Sequence, residues 1–235
     1  MLHNILLHIP HASTFIPSWQ EYLIDPKGEI ELLADWATDR IFDMDGVEKL
    51  IFPYSRVFCD VERLVEGEEI ESVGMGFYYT YTDDGRLMRS AEHRERVLDE
   101  YYMPHHDKLN AMVDKILDKH GEVLIVDCHS FSDTPFKRDS NQDLNRADIC
   151  LGTTKENTDS VLVERYKKAF ELAGYRVVIN APYSGAMIPL KHLGNIQVQT
   201  IMVEINRKLY MDGLNIDEVR IKKLNSLMKK IILAL

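Results

Sequence analysis

Cysteine is scarce in this 235-residue chain, and long apolar runs, Pro/Gly-rich linkers and an excess of basic charge are missing altogether. The three cysteines, Cys59, Cys128 and Cys150, are odd in number, widely spaced and set within apolar runs, and no CxxC pair exists. That excludes a disulfide scaffold or a cysteine zinc site and leaves buried strand thiols in a reducing compartment as the expectation. No apolar run reaches the roughly 20 residues of a membrane span. The opening MLHNILLHIPHAS lacks a basic segment followed by a long apolar one, so no signal peptide is read there and a cytoplasmic protein is expected. Bases number 28 against 38 acids, and the net charge of -10 argues against a nucleic-acid or anionic-membrane partner. Repeats and low-complexity tracts are absent too. One domain over residues 1–235 follows, with the oligomeric state left open.

What is present suits a globular protein: 45% hydrophobic and 28% charged residues. A chain of this length buries roughly 70% of its unfolded surface, so it folds without disulfides or a structural metal. Short apolar runs predict strands at Asn4–His8, Lys49–Pro53, Arg56–Asp60, Glu122–Asp127, Ile149–Gly152, Arg176–Asn180 and Thr200–Ile205. Several are apolar almost throughout, as in strands covered on both faces. Between them, Leu109, Met112, Val113, Ile116 and Leu117 follow the stripe of a core-facing helix. A segment from Ser90 to Tyr102 also reads as helical, with Pro104 expected to kink or divide the two. Asp159 can cap a helix ending at Ala173, before Gly174. Leu224, Leu227, Met228, Ile231, Ile232 and Leu235 stripe a closing helix. The alternation predicts an α/β fold with a largely parallel sheet and helices on both faces.

In such sheets ligands collect at the carboxyl ends of strands, so the polar residues that follow each apolar run carry the functional information. The first strand ends in His8-Ile9-Pro10-His11 and the fourth run in Asp127-Cys128-His129-Ser130. The last strand carries Glu204 and is followed by Asn206 and Arg207, and Arg56 opens the run that leads to Asp60, Glu62 and Arg63. Two histidines at separate strand ends, with carboxylates nearby, suit a zinc ion with three protein ligands and an open position. Asp35 and Asp39 are four apart, on one face if their segment is helical, and either could supply an oxygen ligand. Asp127 could orient His129 or satisfy a strand-end amide. His8 reads as a strand residue pointing away from His11, and His105 and His106 as capping or surface residues. Ser130 is no hydrolase nucleophile by this reading, because G-x-S-x-G is absent and its neighbour His129 points to the other face.

The residues in order carry a resemblance. IPHAS at Ile9–Ser13, the segment around Asp35, SRVFCDVER at Ser55–Arg63 and the Pro104–His106 segment make its first half. VDCHS at Val126–Ser130, the Pro182–Gly185 turn and VEINRKLYMD at Val203–Asp212 make its second. Together they resemble the N-formylglutamate amidohydrolase (deformylase) family. The resemblance implies a single α/β domain similar to zinc carboxypeptidases, with a mixed, mainly parallel sheet and a metal at the strand ends. It implies hydrolysis of the amide of a small N-formyl or N-acyl amino acid, aided by zinc or another divalent ion. Carried over, His11, Asp35 and His129 become metal ligands, and Glu204 the carboxylate that handles the catalytic water. Arg56, Arg63, Arg207 and Asp60 become substrate contacts. A catalytically altered binding module, and a zinc peptidase or amidase on another substrate, are the alternatives. Two departures stand out: Ser13 where the family has glycine, and Glu62 in a block that usually reads D-L-N-R. If Glu62 points into the pocket, it disfavours a second substrate carboxylate.

Overall fold

Side-chain alternation along the strands decides which residues meet at the site. A computed structural model describes residues 4–67, 71 and 73–233. Its main sheet has the order β2-β1-β3-β6-β4-β5. The strands are β1 (Ile5–Ile9), β2 (Glu48–Ile51), β3 (Val123–Phe131), β4 (Ile149–Gly152), β5 (Val177–Ile179) and β6 (Val198–Asn206). Every pairing is parallel except that of β4 with β6. The expected mixed, mainly parallel sheet is therefore present. A ribbon of β7 (Met211–Asp212) and β8 (Asn215–Ile216) lies outside it.

Ile5, Leu7 and Ile9 of β1, with Leu124, Val126 and Cys128 of β3 and Ile201, Val203 and Ile205 of β6, enter one core cluster. There they meet Tyr166 and Phe170 of α5 (Ser160–Leu172) and Leu224, Met228, Ile231 and Ile232 of α6 (Glu218–Leu233). The intervening residues face the other way, where Leu6, Val123 and Ile125 pack with Leu109, Val113 and Ile116 of α4 (Met103–His120). The period of two carries this second set on, toward the carboxyl ends, to His8, Asp127, His129 and Glu204. Apolar residues near the strand starts give way to polar ones at the ends, on one face. Leu235 of the expected closing stripe lies outside the described residues.

Connections leave β1 and β3 in opposite directions, toward β2 and toward β6, so these two strands flank a switch point. His11 follows one and His129 ends the other. Asp159 caps α5 by accepting the Val161 amide at 2.7 Å, and Gly174, at φ +89°, sits just beyond its end.

Three elements differ from expectation. Arg56–Asp60 is a buried turn, with the Phe58 and Cys59 amides bonded to Ser55 O and the guanidinium of Arg89 on Phe58 O. An apolar run reports burial, not extension. Residues 31–41 do not make one helix: α1 (Lys27–Leu33) and α2 (Thr38–Ile41) are separated by a break in which Ala37 has φ +61°. Ahead of α4, α3 (Arg94–Val97) runs into a π-helical turn, Leu98–Tyr102, and Pro104 then takes a first-turn position where its missing N–H is tolerated. None of the helices among the described residues is long and apolar enough to cross a membrane.

Candidate active site

Two imidazoles and a carboxylate converge at the switch point. His129 Nδ1 lies 3.0 Å and His11 Nδ1 3.6 Å from Asp35 Oδ2, and one ligand-type atom from each of the three residues lies within 4.8 Å of the others. Asp35 reaches them because the α1–α2 break points it inward; its amide bonds His11 O at 3.0 Å. Each imidazole is backed by another carboxylate. His11 Nε2 donates to Asp60 Oδ1 at 2.8 Å, which leaves the lone pair of the neutral ring at Nδ1, a buried atom with no hydrogen-bond partner. His129 Nε2 lies 3.1 Å from Asp127 Oδ1, without the alignment of a hydrogen bond. His11 is held as a metal-ligating histidine is, one nitrogen free for an ion and the other turned to a carboxylate, whereas His129 Nδ1 is hydrogen-bonded to Asp35 Oδ2. Ligand atoms around a tetrahedral zinc stand about 3.3–3.5 Å apart, so the donor set, the bare Nδ1 and the backing carboxylates fit a divalent ion.

The electrostatics point the same way. Burial alone would raise the Asp35 carboxyl, but the imidazoles of His11 and His129 beside it outweigh that and hold the group well below the usual range. Burial likewise opposes the lowering of Asp127 by His129 and His8. The histidines answer in kind: against the cost of burial, Asp127 and Asp35 push His129 upward. The cluster draws positive charge, from protons or from a metal. Glu204 behaves differently. Paired in register with His129, it is pushed up to about 8, chiefly by burial and further by Asp35, against the lowering pull of His129, Arg56 and Arg207. Its Oε2 is buried without a hydrogen bond, and no ion pair joins it to Arg207 among the described residues.

The sequence model of the family described as N-formylglutamate amidohydrolase matches residues 3–211. The chain belongs to this family. It is 26% identical over 223 residues to an N-formylglutamate deformylase of Pseudomonas aeruginosa, spanning 88% of this chain and 82% of that protein. The same enzyme of Pseudomonas putida is 26% identical over 224 residues, with the same coverage. A crystal structure of N-formylglutamate amidohydrolase from Ralstonia eutropha shares the fold, with a TM-score of 0.87 at 21% identity over 98% of this chain and 92% of that one.

Within this N-formylglutamate amidohydrolase fold, His11, Asp35, His129 and Glu204 come together. Asp39 does not: it is exposed on α2, because the left-handed Ala37 breaks the helix that would have aligned it with Asp35. Asp60, expected among the substrate contacts, is wholly buried and its acceptor sites are taken. It receives His11, Arg56, the Tyr79 hydroxyl and the Glu62 amide, so it supports His11 rather than touching substrate. Arg56 and Arg207 flank Asp35 Oδ1 at 3.9 and 3.8 Å. Arg56 is anchored on Asp60, Arg207 on Leu32 O, and Arg63 lies 3.9 Å from Asp60. His8 does not stand apart from the site, since its Nδ1 lies 3.0 Å from Asp127, the residue behind His129. His105 is not a surface residue either. It is buried, 2.9 Å from His8, and burial and the His8 charge push it down to about 2. Glu62 turns neither outward nor onto Arg63 but onto His8, 3.0 Å away. The i, i+2 spacing of Asp127 and His129 was the sequence signal for that pair; for Asp60 behind His11 there was none, because a turn places it.

Proposed function

We propose that this chain hydrolyses the formyl amide of N-formylglutamate, assisted by a zinc or similar divalent ion held by His11, Asp35 and His129. The observation that carries the reading is the convergence of ligand-type atoms from His11, Asp35 and His129 at the switch point, within a chain of this family. The relatives named as N-formylglutamate deformylases supply the substrate. A bound ion of this kind lowers the pKa of water toward neutrality and polarises the scissile carbonyl.

The chain's own residues do the rest. Glu204 takes a proton from the attacking water at its carboxylate and delivers it to the departing amine, releasing formate and glutamate. Burial supplies the proton affinity that this role needs. Asp60 and Asp127 orient the two imidazoles. Arg56 and Arg207 offer guanidinium groups to the substrate's carboxylates. The opposition that Glu62 would offer to a dicarboxylate is weakened, because His8 lies against it.

Release of the free amino acid from N-formylglutamate, N-formylglutamine, N-acetylglutamate and a dipeptide tests the reading. N-Formylglutamate is expected to give the highest kcat/KM, and Glu204→Gln to lower kcat by roughly 10²-fold or more with the fold retained. Cleavage of the dipeptide alone would overturn the reading in favour of a peptidase, and turnover of none of the four would favour a binding module.

A further inference from the structure

His8, Glu62 and Asp127 form a second knot of ligand-type atoms, and the proposed reaction uses only one side of it. His8 Nδ1 lies 3.0 Å from Asp127 Oδ1 and 3.0 Å from Glu62 Oε1, and one ligand-type atom from each of the three residues lies within 4.8 Å of the others. A ring nitrogen carries one hydrogen at most. Here it aligns with Asp127, and Glu62 Oε1 is left buried with no hydrogen bond among the described residues although a nitrogen faces it. On the far side, His8 Nε2 lies 2.9 Å from His105 Nε2. Two ring nitrogens at that distance must share one hydrogen and one lone pair. With the hydrogen on His8 Nε2, a neutral His8 turns its own lone pair at Nδ1 toward both carboxylates. Three electron-rich atoms facing one another without a cation repel; with one they form a ligand set. His129 Nε2, on a side chain 6% exposed, is a further unaligned nitrogen aimed at Asp127 Oδ1.

We infer that His8 Nδ1, Glu62 Oε1 and Asp127 Oδ1 bind a second divalent transition-metal ion, distinct from one at His11, Asp35 and His129. One imidazole and two carboxylates suit zinc or manganese. The 3.0 Å contacts need widen by only a few tenths of an ångström to reach tetrahedral spacing. His105 holds the outer nitrogen of His8, as a partner that orients a metal-binding imidazole does. The Glu62 side chain is 15% exposed and gives the ion a way in. An ion here would fix Asp127, and through it the ring of His129, and would act on the reaction by positioning. The inference stands on these three ligands and does not require the deformylase reading.

Metal content after equilibrium dialysis against zinc, with a cobalt(II) titration followed by visible absorption, decides the matter. The wild-type chain is expected to hold two ions, and the isosteric Glu62→Gln variant one. His11→Ala separates the two readings, because the ion that depends on Glu62 should survive it. A wild-type chain that saturates at one ion, retained in Glu62→Gln, overturns the inference and assigns the cluster to a proton on His8. The wild-type count alone is decisive if the variant fails to fold.

Discussion

At the scale of single residues, the geometry divides the carboxylates by task. Asp35 faces two imidazole nitrogens, Asp60 and Asp127 stand behind them, and Glu204 is left with a buried oxygen that nothing bonds. These differences come from partners rather than residue type. Asp60→Asn keeps the shape of the side chain but can no longer hold the hydrogen on His11 Nε2 with a charged acceptor. Its zinc affinity is therefore expected to fall by roughly 10–100-fold, measured by competition with a chromophoric chelator. An unchanged affinity would mean that Asp60 serves Arg56 alone. His11 and His129 were legible in the sequence because each follows or ends an apolar run, and Glu204 because it is the one charged residue within the last of them. The place of Asp60 behind His11 and of His105 against His8 was not legible, because the one depends on a buried turn and the other on where a helix docks. Neither is encoded in local spacing.

At the scale of elements, the strand pattern was the most legible part, since alternating burial fixes which face each residue takes. The apolar run Arg56–Asp60 misled because a turn can be as buried as a strand when a side chain satisfies its backbone, as Arg89 does at Phe58 O. The segment around Asp35 misled because an alanine adopts the left-handed conformation there. Two substitutions test the elements that set the site. Asp159→Ala removes the α5 cap and should cost about 1 kcal/mol in urea unfolding; no loss would show that the cap is redundant. Gly152→Ala places a Cβ 2.1 Å from Gly185 O and 2.4 Å from Met202 Cε, between β4 and the strand that carries Glu204. It should cost about 1–3 kcal/mol or more, whereas a neutral effect would show that β4 can slide.

At the scale of the whole molecule, cores on either side of one sheet are joined by further buried clusters, and all three cysteines are buried, Cys128 in a sheet-face core and Cys59 in a separate cluster with Phe58 and Phe77. Burial pushes Cys150 up to about 12, and Cys59 and Cys128 well above the usual thiol range. A raised thiol pKa means less thiolate at any given pH. An ordinary thiol is roughly one-quarter ionised at pH 8, and one near 12 on the order of one part in ten thousand. The folded protein should therefore react with no disulfide reagent at pH 8, and all three thiols should react after denaturation. Rapid labelling of one thiol in the folded state would show that the sheet opens locally.

The central claim is that a divalent ion and Glu204 act together at the switch point on a formyl amide. Its most direct test is formate release from N-formylglutamate by the protein stripped with a chelator and then titrated with zinc. The account predicts that stripping abolishes turnover, that zinc restores it, and that Glu204→Gln binds the zinc without recovering activity. Full turnover in the stripped protein would contradict it.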